Sequence, residues 1–187
     1  MIGVTSEGCM VAVDVDNLLI SSAEAGQVYQ GYDLLPGFIS MFEWIQTYCK
    51  ILCVHLYLPT SQFGSDALWH ALWEKYKDEF IFELIHCPKK KPGPREKPDN
   101  VDAHLICHSR RMVNLLGAEI RYFCLASGDS DYSPFLWQLK REKNIEISFA
   151  IGSEGSYSKR YRRTGITAKH PATGEELIHY FSPYKTN

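Results

Sequence analysis

The stretch EIRYFCLASGDSDYSPFLWQL, residues 119–139, carries the signals that decide the fold class. Its first part, Glu119–Ala126, is a short apolar run rich in aromatic and branched residues, which predicts a buried strand. Its last part opens with a serine and a proline, an N-cap and first-turn pair, and predicts a helix over Ser133–Lys143. Between them stand Asp129 and Asp131 among glycine and serine. The start of a helix explains one acid at this place on structural grounds. The second acid therefore indicates a functional role.

The same order of strand and helix repeats on either side of this stretch. Further strands are predicted at Met10–Asp16, Ile51–Leu58, Phe80–Cys87 and Ile145–Ile151. Further helices are predicted at Leu35–Tyr48, Asp66–Glu79 and Asp99–Leu116, the last of them stopped by Gly117. Alternation of this kind, with near-continuous apolar strands, predicts a three-layer α/β/α sandwich built on a mainly parallel sheet of about five strands.

The chain of 187 residues suits one domain, which we expect to span residues 1–151. Residues 152–187 are richer in glycine, serine and basic residues. We expect them to form a basic C-terminal extension packed on the same domain, with a late strand at Leu177–Phe181.

The composition is that of a globular protein, with 45% hydrophobic and 22% charged residues and a net charge of −2. A globally basic nucleic-acid-binding protein is therefore excluded, and any such contact depends on local basic segments. Six cysteines without a C-x-x-C pair predict reduced thiols. The sequence shows no secretory signal or membrane span, so a soluble cytoplasmic protein without membrane contact is expected.

Acidic residues stand where the predicted strands end, which is where the ligands of open parallel sheets bind. Asp14 and Asp16 end the first strand, Asp129 and Asp131 follow the fourth, and Asp102 lies one turn into the preceding helix. If the first and fourth strands are neighbours, carboxylates from three segments meet in one cleft. Such a cluster requires a cation, and oxygen ligands suit Mg²⁺. This arrangement favours a phosphodiester hydrolase that uses one or two ions.

Three motifs at these places resemble the NYN domain, a branch of the PIN-like nucleases: VAVDVDNL (11–18), KPDNVDAHL (97–105) and LASGDSDYSPFLWQL (125–139). The resemblance implies a PIN-like fold, Mg²⁺ or Mn²⁺ dependence and ribonuclease activity on RNA. It also implies a support role for Asn17 and a set of catalytic, metal-binding acids at Asp14, Asp102, Asp129 and Asp131. His108 departs from the pattern, because family members often carry a further aspartate there.

Candidate substrate-binding residues come from the motifs and from two basic segments, the proline-rich PKKKPGPREKP (88–98) and SYSKRYRRTG (156–165). In the second segment, basic residues for phosphates alternate with Tyr157 and Tyr161, whose rings would suit the bases of single-stranded or looped RNA. A charged surface segment explains it equally well. The candidates are Asn17, Lys97, Ser127, Ser130, Arg160, Arg162 and Arg163.

Other interpretations of the same residues stay open. Asp102 also suits the start of a helix, and Asp131 and Asn17 also suit turns. A haloacid-dehalogenase-like phosphatase would use Asp14 as its nucleophile. A non-catalytic module binding RNA or a protein partner is favoured by His108, and a homodimer is equally open. Zinc binding by the adjacent pairs His86–Cys87 and Cys107–His108 is not expected, because adjacent side chains point apart.

Overall fold

The computed structural model describes residues 7–22, 32–59, 66–88, 101–182 and 184–185. Lys97, and all of the proline-rich basic segment except Pro88, lie outside these residues.

A six-stranded parallel sheet forms the centre of the protein, in the order β4-β3-β1-β5-β6-β7. Its strands are β1 (Gly8–Asp14), β3 (Lys50–Pro59), β4 (Ile81–Cys87), β5 (Ile120–Ala126), β6 (Glu146–Ile151) and β7 (Ile178–Tyr180). A separate antiparallel pair joins β2 (Tyr32–Asp33) to β8 (Tyr184–Lys185). The predicted parallel α/β sheet is confirmed. It gains a sixth strand because the late segment of the extension pairs with β6.

Helices cover both faces of the sheet, as the sandwich prediction requires. They are α1 (Val15–Ser22), α2 (Leu35–Gln46), α3 (Asp66–Tyr76), α4 (Val101–Leu116), α5 (Ser133–Glu142) and α6 (Lys159–Arg163). On one face α5 packs on β5 through Phe135 and Phe123, whose ring centroids are 5.5 Å apart. On the opposite face Tyr48, just after α2, meets Tyr122 of the same strand. Gly117 ends α4 in the left-handed region, with φ +53, as expected of a helix stop.

The first strand ends two residues earlier than the sequence predicts, at Asp14 rather than Asp16. The reason is a cap: an Asp14 carboxylate oxygen accepts a hydrogen bond from the backbone N–H of Asn17, 3.1 Å away. An aspartate that satisfies this amide starts a helix, so α1 begins at Val15. Asp16 therefore lies in the first turn of α1 and does not continue the strand.

The core lies between the sheet and its helices. All seven residues of β1 are buried, as a central strand covered on both faces requires. The six cysteines are free thiols, and only Cys107 is exposed. Among the helices that the structure describes, none combines the length and apolar character needed to cross a bilayer.

Candidate metal centre

The strand order reverses direction between β1 and β5. From β1 the chain continues to β3 on one side, while β5 pairs with β1 on the other side and Val13 lies opposite Ala126. The carboxyl ends of these two strands therefore lie next to each other, and the loops that leave them border a common crevice.

Three of the predicted acids converge at this crevice. A carboxylate oxygen from each of Asp102, Asp129 and Asp131 lies within 4.8 Å of the other two. The first turn of α4 supplies Asp102, and the segment after β5 supplies the other two. Asp129 precedes a 3₁₀ turn over residues 130–132, and one of its oxygens accepts the backbone N–H of Asp131 at 3.0 Å. This cap holds the two loop acids in a fixed relation to each other.

Asp14 lies behind this cluster and is joined to it by Tyr132. The Tyr132 hydroxyl oxygen is 2.8 Å from an oxygen of Asp14 and 2.8 Å from an oxygen of Asp102. A phenol has one proton to donate, so the second short contact requires a proton on a carboxyl group. Burial raises the pKa of Asp14 to about 7, against the weaker opposing effect of its hydrogen bonds. Asp14 is therefore the group that holds the additional proton.

The hydroxyl of Tyr132 keeps its own proton. Burial first, and then the neighbouring carboxylates of Asp14 and Asp102, raise the pKa of Tyr132 far above its ordinary value. The residue is fully buried and acts as a neutral donor between the two acids.

Two of the candidate substrate-binding residues, Asn17 and Ser127, brace the loop in this structure. The side-chain oxygen of Asn17 accepts the backbone N–H of Gly128 at 3.0 Å, which ties α1 to the loop after β5. The hydroxyl of Ser127 accepts the N–H of Asp129 at 3.2 Å and is completely buried. Ser130 opens the 3₁₀ turn and is half-buried.

The C-terminal extension packs directly on the acidic loop. A Cβ atom at Gly128 would overlap the backbone carbonyl of Ser156, so glycine here allows a close approach of two segments. Gly128 is not among the glycines with positive φ, so the close approach, and not a left-handed backbone, is what requires glycine at this position. A second contact comes from Tyr161 of α6, whose hydroxyl donates to the backbone carbonyl of Asp129.

The basic residues of α6 are exposed beside this contact. Arg160, Arg162 and Arg163 face solvent, and the guanidinium carbon of Arg162 lies 5.6 Å from the centre of the Tyr157 ring. Tyr161 is buried against Phe149, so it is not available to stack on a base as the sequence suggests.

The residues at the crevice fit a hard divalent cation. Every side chain in the convergent group is a carboxylate, the ligand type that Mg²⁺ and Mn²⁺ prefer. Burial raises the pKa of the neighbouring Asp14 to about 7. A bound cation would lower this pKa, because it favours the ionised carboxylate.

Sequence reasoning missed Tyr132 and the polar role of Tyr161. Tyr132 follows Asp131 directly, and its position next to two acids was a usable signal. Tyr161 offered no local signal, because its partner Asp129 is 32 residues away in the chain.

Comparison with known proteins agrees with this fold. A sequence profile of the NYN domain matches residues 9–173. The structure is similar to the crystal structure of a protein of unknown function, VPA0982, from Vibrio parahaemolyticus, with a TM-score of 0.57 and 15% identity, over 84% of this chain and 90% of that one. At this identity the likeness concerns the fold alone. No curated protein matches significantly. Because the profile covers all three acidic motifs and reaches from β1 to β6, the chain belongs to the NYN domain family, whose fold is nuclease-like.

Proposed function

We propose that this protein is a metal-dependent ribonuclease that hydrolyses phosphodiester bonds of single-stranded or looped RNA with Mg²⁺, or with Mn²⁺ in its place. The observation that carries the proposal is the convergence of the Asp102, Asp129 and Asp131 carboxylates within 4.8 Å at the switch point of the sheet. Membership of a nuclease-like family supports it.

The metal-binding acids in this proposal are the four aspartates that the motifs indicate. Asp102, Asp129 and Asp131 present their carboxylates together. Asp14 joins them on loss of the proton that it holds against the Tyr132 hydroxyl. When bound, the cation would activate a water molecule as the nucleophile and neutralise the charge that develops on the leaving oxygen.

The remaining residues position these acids and the substrate. Tyr132 holds Asp14 and Asp102 at a fixed separation through its hydroxyl. Asn17 and Ser127 hold the backbone of the loop that carries Asp129. Both contacts restrict the loop before substrate arrives, which lowers the cost of organising the site.

The exposed arginines of α6 support RNA as the substrate. The hydroxyl of Tyr161 attaches α6 to the Asp129 backbone, and the arginines on either side of Tyr161 in sequence are exposed. Cationic side chains next to a metal centre would hold the phosphates on either side of the scissile bond. Lys97 stays a candidate substrate-binding residue on its sequence position alone.

The phosphatase alternative finds less support. A nucleophilic aspartate needs an accessible carboxylate, whereas Asp14 is only 5% exposed. A non-catalytic RNA-binding module would keep the arginines of α6 without needing the acids.

Cleavage of a labelled RNA carrying both a loop and a single-stranded tail tests the proposal. We expect cleavage with Mg²⁺, none in EDTA, and a large loss in Asp129→Asn. Asp78→Asn provides a matched control. Asp78 is an exposed aspartate in the turn between α3 and β4, at the amino ends of the strands, whereas the crevice lies at their carboxyl ends. RNA binding that persists without any Mg²⁺-dependent cleavage would identify a binding module and overturn the proposal.

A further inference from the structure

A second cluster of potential metal ligands lies away from the acidic crevice, between β3, β4 and α4. A ring nitrogen of His55, a carboxylate oxygen of Glu83 and a ring nitrogen of His108 lie within 4.8 Å of one another. His55 and Glu83 are directly opposite each other on the paired strands β3 and β4. The rings of His55 and His108 have centroids 4.7 Å apart. Three separate elements thus deliver three donors to one place.

His55 is the unusual member, because it is completely buried and its polar atoms are not satisfied. Among the described residues neither ring nitrogen has a hydrogen-bond partner. Its Nε2 is 3.4 Å from Oε2 of Glu83, longer than a normal hydrogen bond. Burial of the imidazole lowers the pKa of His55, with a smaller effect from His108. A buried imidazole with two unsatisfied nitrogens is costly unless a ligand occupies the site.

His108 is oriented by a neighbouring hydroxyl. The Tyr57 oxygen lies 2.9 Å from Nδ1 of His108. In the tautomer that donates Nδ1–H to this oxygen, Nε2 presents its lone pair. Metal-binding histidines commonly have one ring nitrogen hydrogen-bonded in this way, which fixes the tautomer and the ring orientation.

We propose that His55, Glu83 and His108 form a binding site for a transition-metal cation of the zinc class. Two imidazoles and one carboxylate are a common protein ligand set for Zn²⁺, with water as the fourth ligand. Two ligands bonded to a tetrahedral ion at about 2.1 Å lie about 3.4 Å apart, which matches the His55–Glu83 separation. Nitrogen donors select this class over Mg²⁺, which prefers oxygen ligands only.

The surroundings allow an ion to enter and adjust its ligands. The Glu83 side chain is 52% exposed and His108 is half-buried, whereas His55 is fixed in the sheet. The two outer side chains can rotate to complete the coordination. A bound ion would join α4, the helix that carries Asp102, to the strands β3 and β4.

Cobalt provides a direct test on the full chain, because Co²⁺ replaces Zn²⁺ and its visible absorption reports nitrogen ligands in tetrahedral geometry. After removal of metals with EDTA, we expect one Co²⁺ to bind and to be displaced by Zn²⁺. Glu83→Gln and His108→Gln should weaken Co²⁺ binding by about a hundredfold or more, and Tyr57→Phe by about tenfold. Zn²⁺ should also raise the unfolding temperature of the parent.

Matched controls separate this site from other histidines and from the acidic crevice. His70→Gln removes an exposed histidine on α3, and Asp129→Asn alters the acidic cluster; both should bind Co²⁺ like the parent. Glu83 is at the surface, so its variant tests the site even if a change at the buried His55 prevents folding. Absence of tetrahedral Co²⁺ absorption, unchanged affinity in Glu83→Gln and His108→Gln, or loss of the signal in Asp129→Asn would overturn the proposal.

Discussion

The acidic crevice and the histidine cluster share one helix but differ in chemistry. Asp102 and His108 both belong to α4 and are separated by six residues, about 9 Å along the helix axis. The crevice offers only carboxylates, from the end of β1, the segment after β5 and the first turn of α4. The cluster offers two imidazoles and one carboxylate, with His55 and Glu83 inside paired strands.

This difference shows how placement within a fold determines ligand chemistry. The segment after β5 keeps Asp129 and Asp131 at least partly exposed to solvent, which suits a hard cation that keeps its waters. In the histidine cluster, His55 on the inner strand β3 is fully buried, where a neutral imidazole is tolerated better than a carboxylate, whereas Glu83 on the edge strand β4 keeps its carboxylate exposed. We therefore expect the two places to select different cations and to respond separately to mutation.

The largest expected effect separates the two regions by metal. Asp102→Asn should reduce Mg²⁺-dependent RNA cleavage by about a thousandfold, about 4 kcal/mol of transition-state stabilisation. Co²⁺ affinity of the same variant should stay within about twofold of the parent, as for independent sites. Cleavage assays and Co²⁺ titrations check both values. Simultaneous loss of Co²⁺ binding would show that the two regions are a single site.

The pKa of Asp14 gives the next effect. Its pKa is raised to about 7 in the folded protein, above its ordinary value of 3.8, so the folded state binds the proton more tightly. The resulting stabilisation is complete below pH 3.8 and disappears as the pH rises through 7. In EDTA, the free energy of unfolding should therefore lose up to about 3 kcal/mol between pH 5 and pH 8 from this group.

Urea denaturation of the parent and of Asp14→Asn across this range isolates the effect of Asp14. The difference between the two is needed because His55, with its pKa lowered to about 4, changes stability in the opposite direction up to pH 6.5. A pH dependence that is the same in both proteins would contradict the assignment of the proton to Asp14.

Gly128→Ala tests the contact between the extension and the acidic loop. The added methyl group would overlap the carbonyl of Ser156, so we expect a loss of about 2 kcal/mol in the free energy of unfolding, with weaker RNA cleavage. Gly155→Ala is the matched control, because a Cβ there meets no atom within 4 Å and should change stability by less than about 0.5 kcal/mol. Equal effects of the two substitutions would refute a specific contact at Gly128.

The smallest expected effect concerns the hydroxyl that attaches α6 to the crevice. Tyr161→Phe removes the donor to the Asp129 carbonyl and should cost about 1 kcal/mol of stability and several-fold in cleavage. Tyr48→Phe removes a comparable buried hydroxyl, which donates to Ser148 at 2.8 Å on the other face of the sheet. Denaturation should be similar for the two variants, while cleavage falls only in Tyr161→Phe. An equal fall in RNA cleavage in both variants would contradict a specific role for the Tyr161 hydroxyl at the crevice.

Much of the fold followed from local patterns. The five expected strands and four expected helices occur within two residues of their predicted ends over the described residues, apart from α3, which ends at Tyr76, three residues before the predicted Glu79. The first strand was extended too far because the capping role of Asp14 depends on a side-chain bond that alternation of residues does not reveal. The acids of the crevice were recognisable because each stands at the end of an element.

The contacts between the acids and the residues that hold them could not be predicted from local sequence patterns. The sequence analysis assigned no role to Tyr132, yet its hydroxyl links Asp14 to Asp102. Ser127 read as a substrate contact, yet it is buried under Asp129. The sequence analysis missed the proposed zinc-class site because it considered His108 only together with its neighbour Cys107. The spatial partners of His108, which are His55 and Glu83, belong to other elements.

By itself the sequence determined the alternation of strand and helix and the places where acids end the strands, since caps, turns and hydrophobic periodicity act over a few residues. Only the tertiary structure decided which carboxylates converge, how far burial raises the pKa of Asp14, and that His55 lies next to Glu83 and His108. The physical reason is that strand order and register bring residues together across the chain, and burial then sets their charge state.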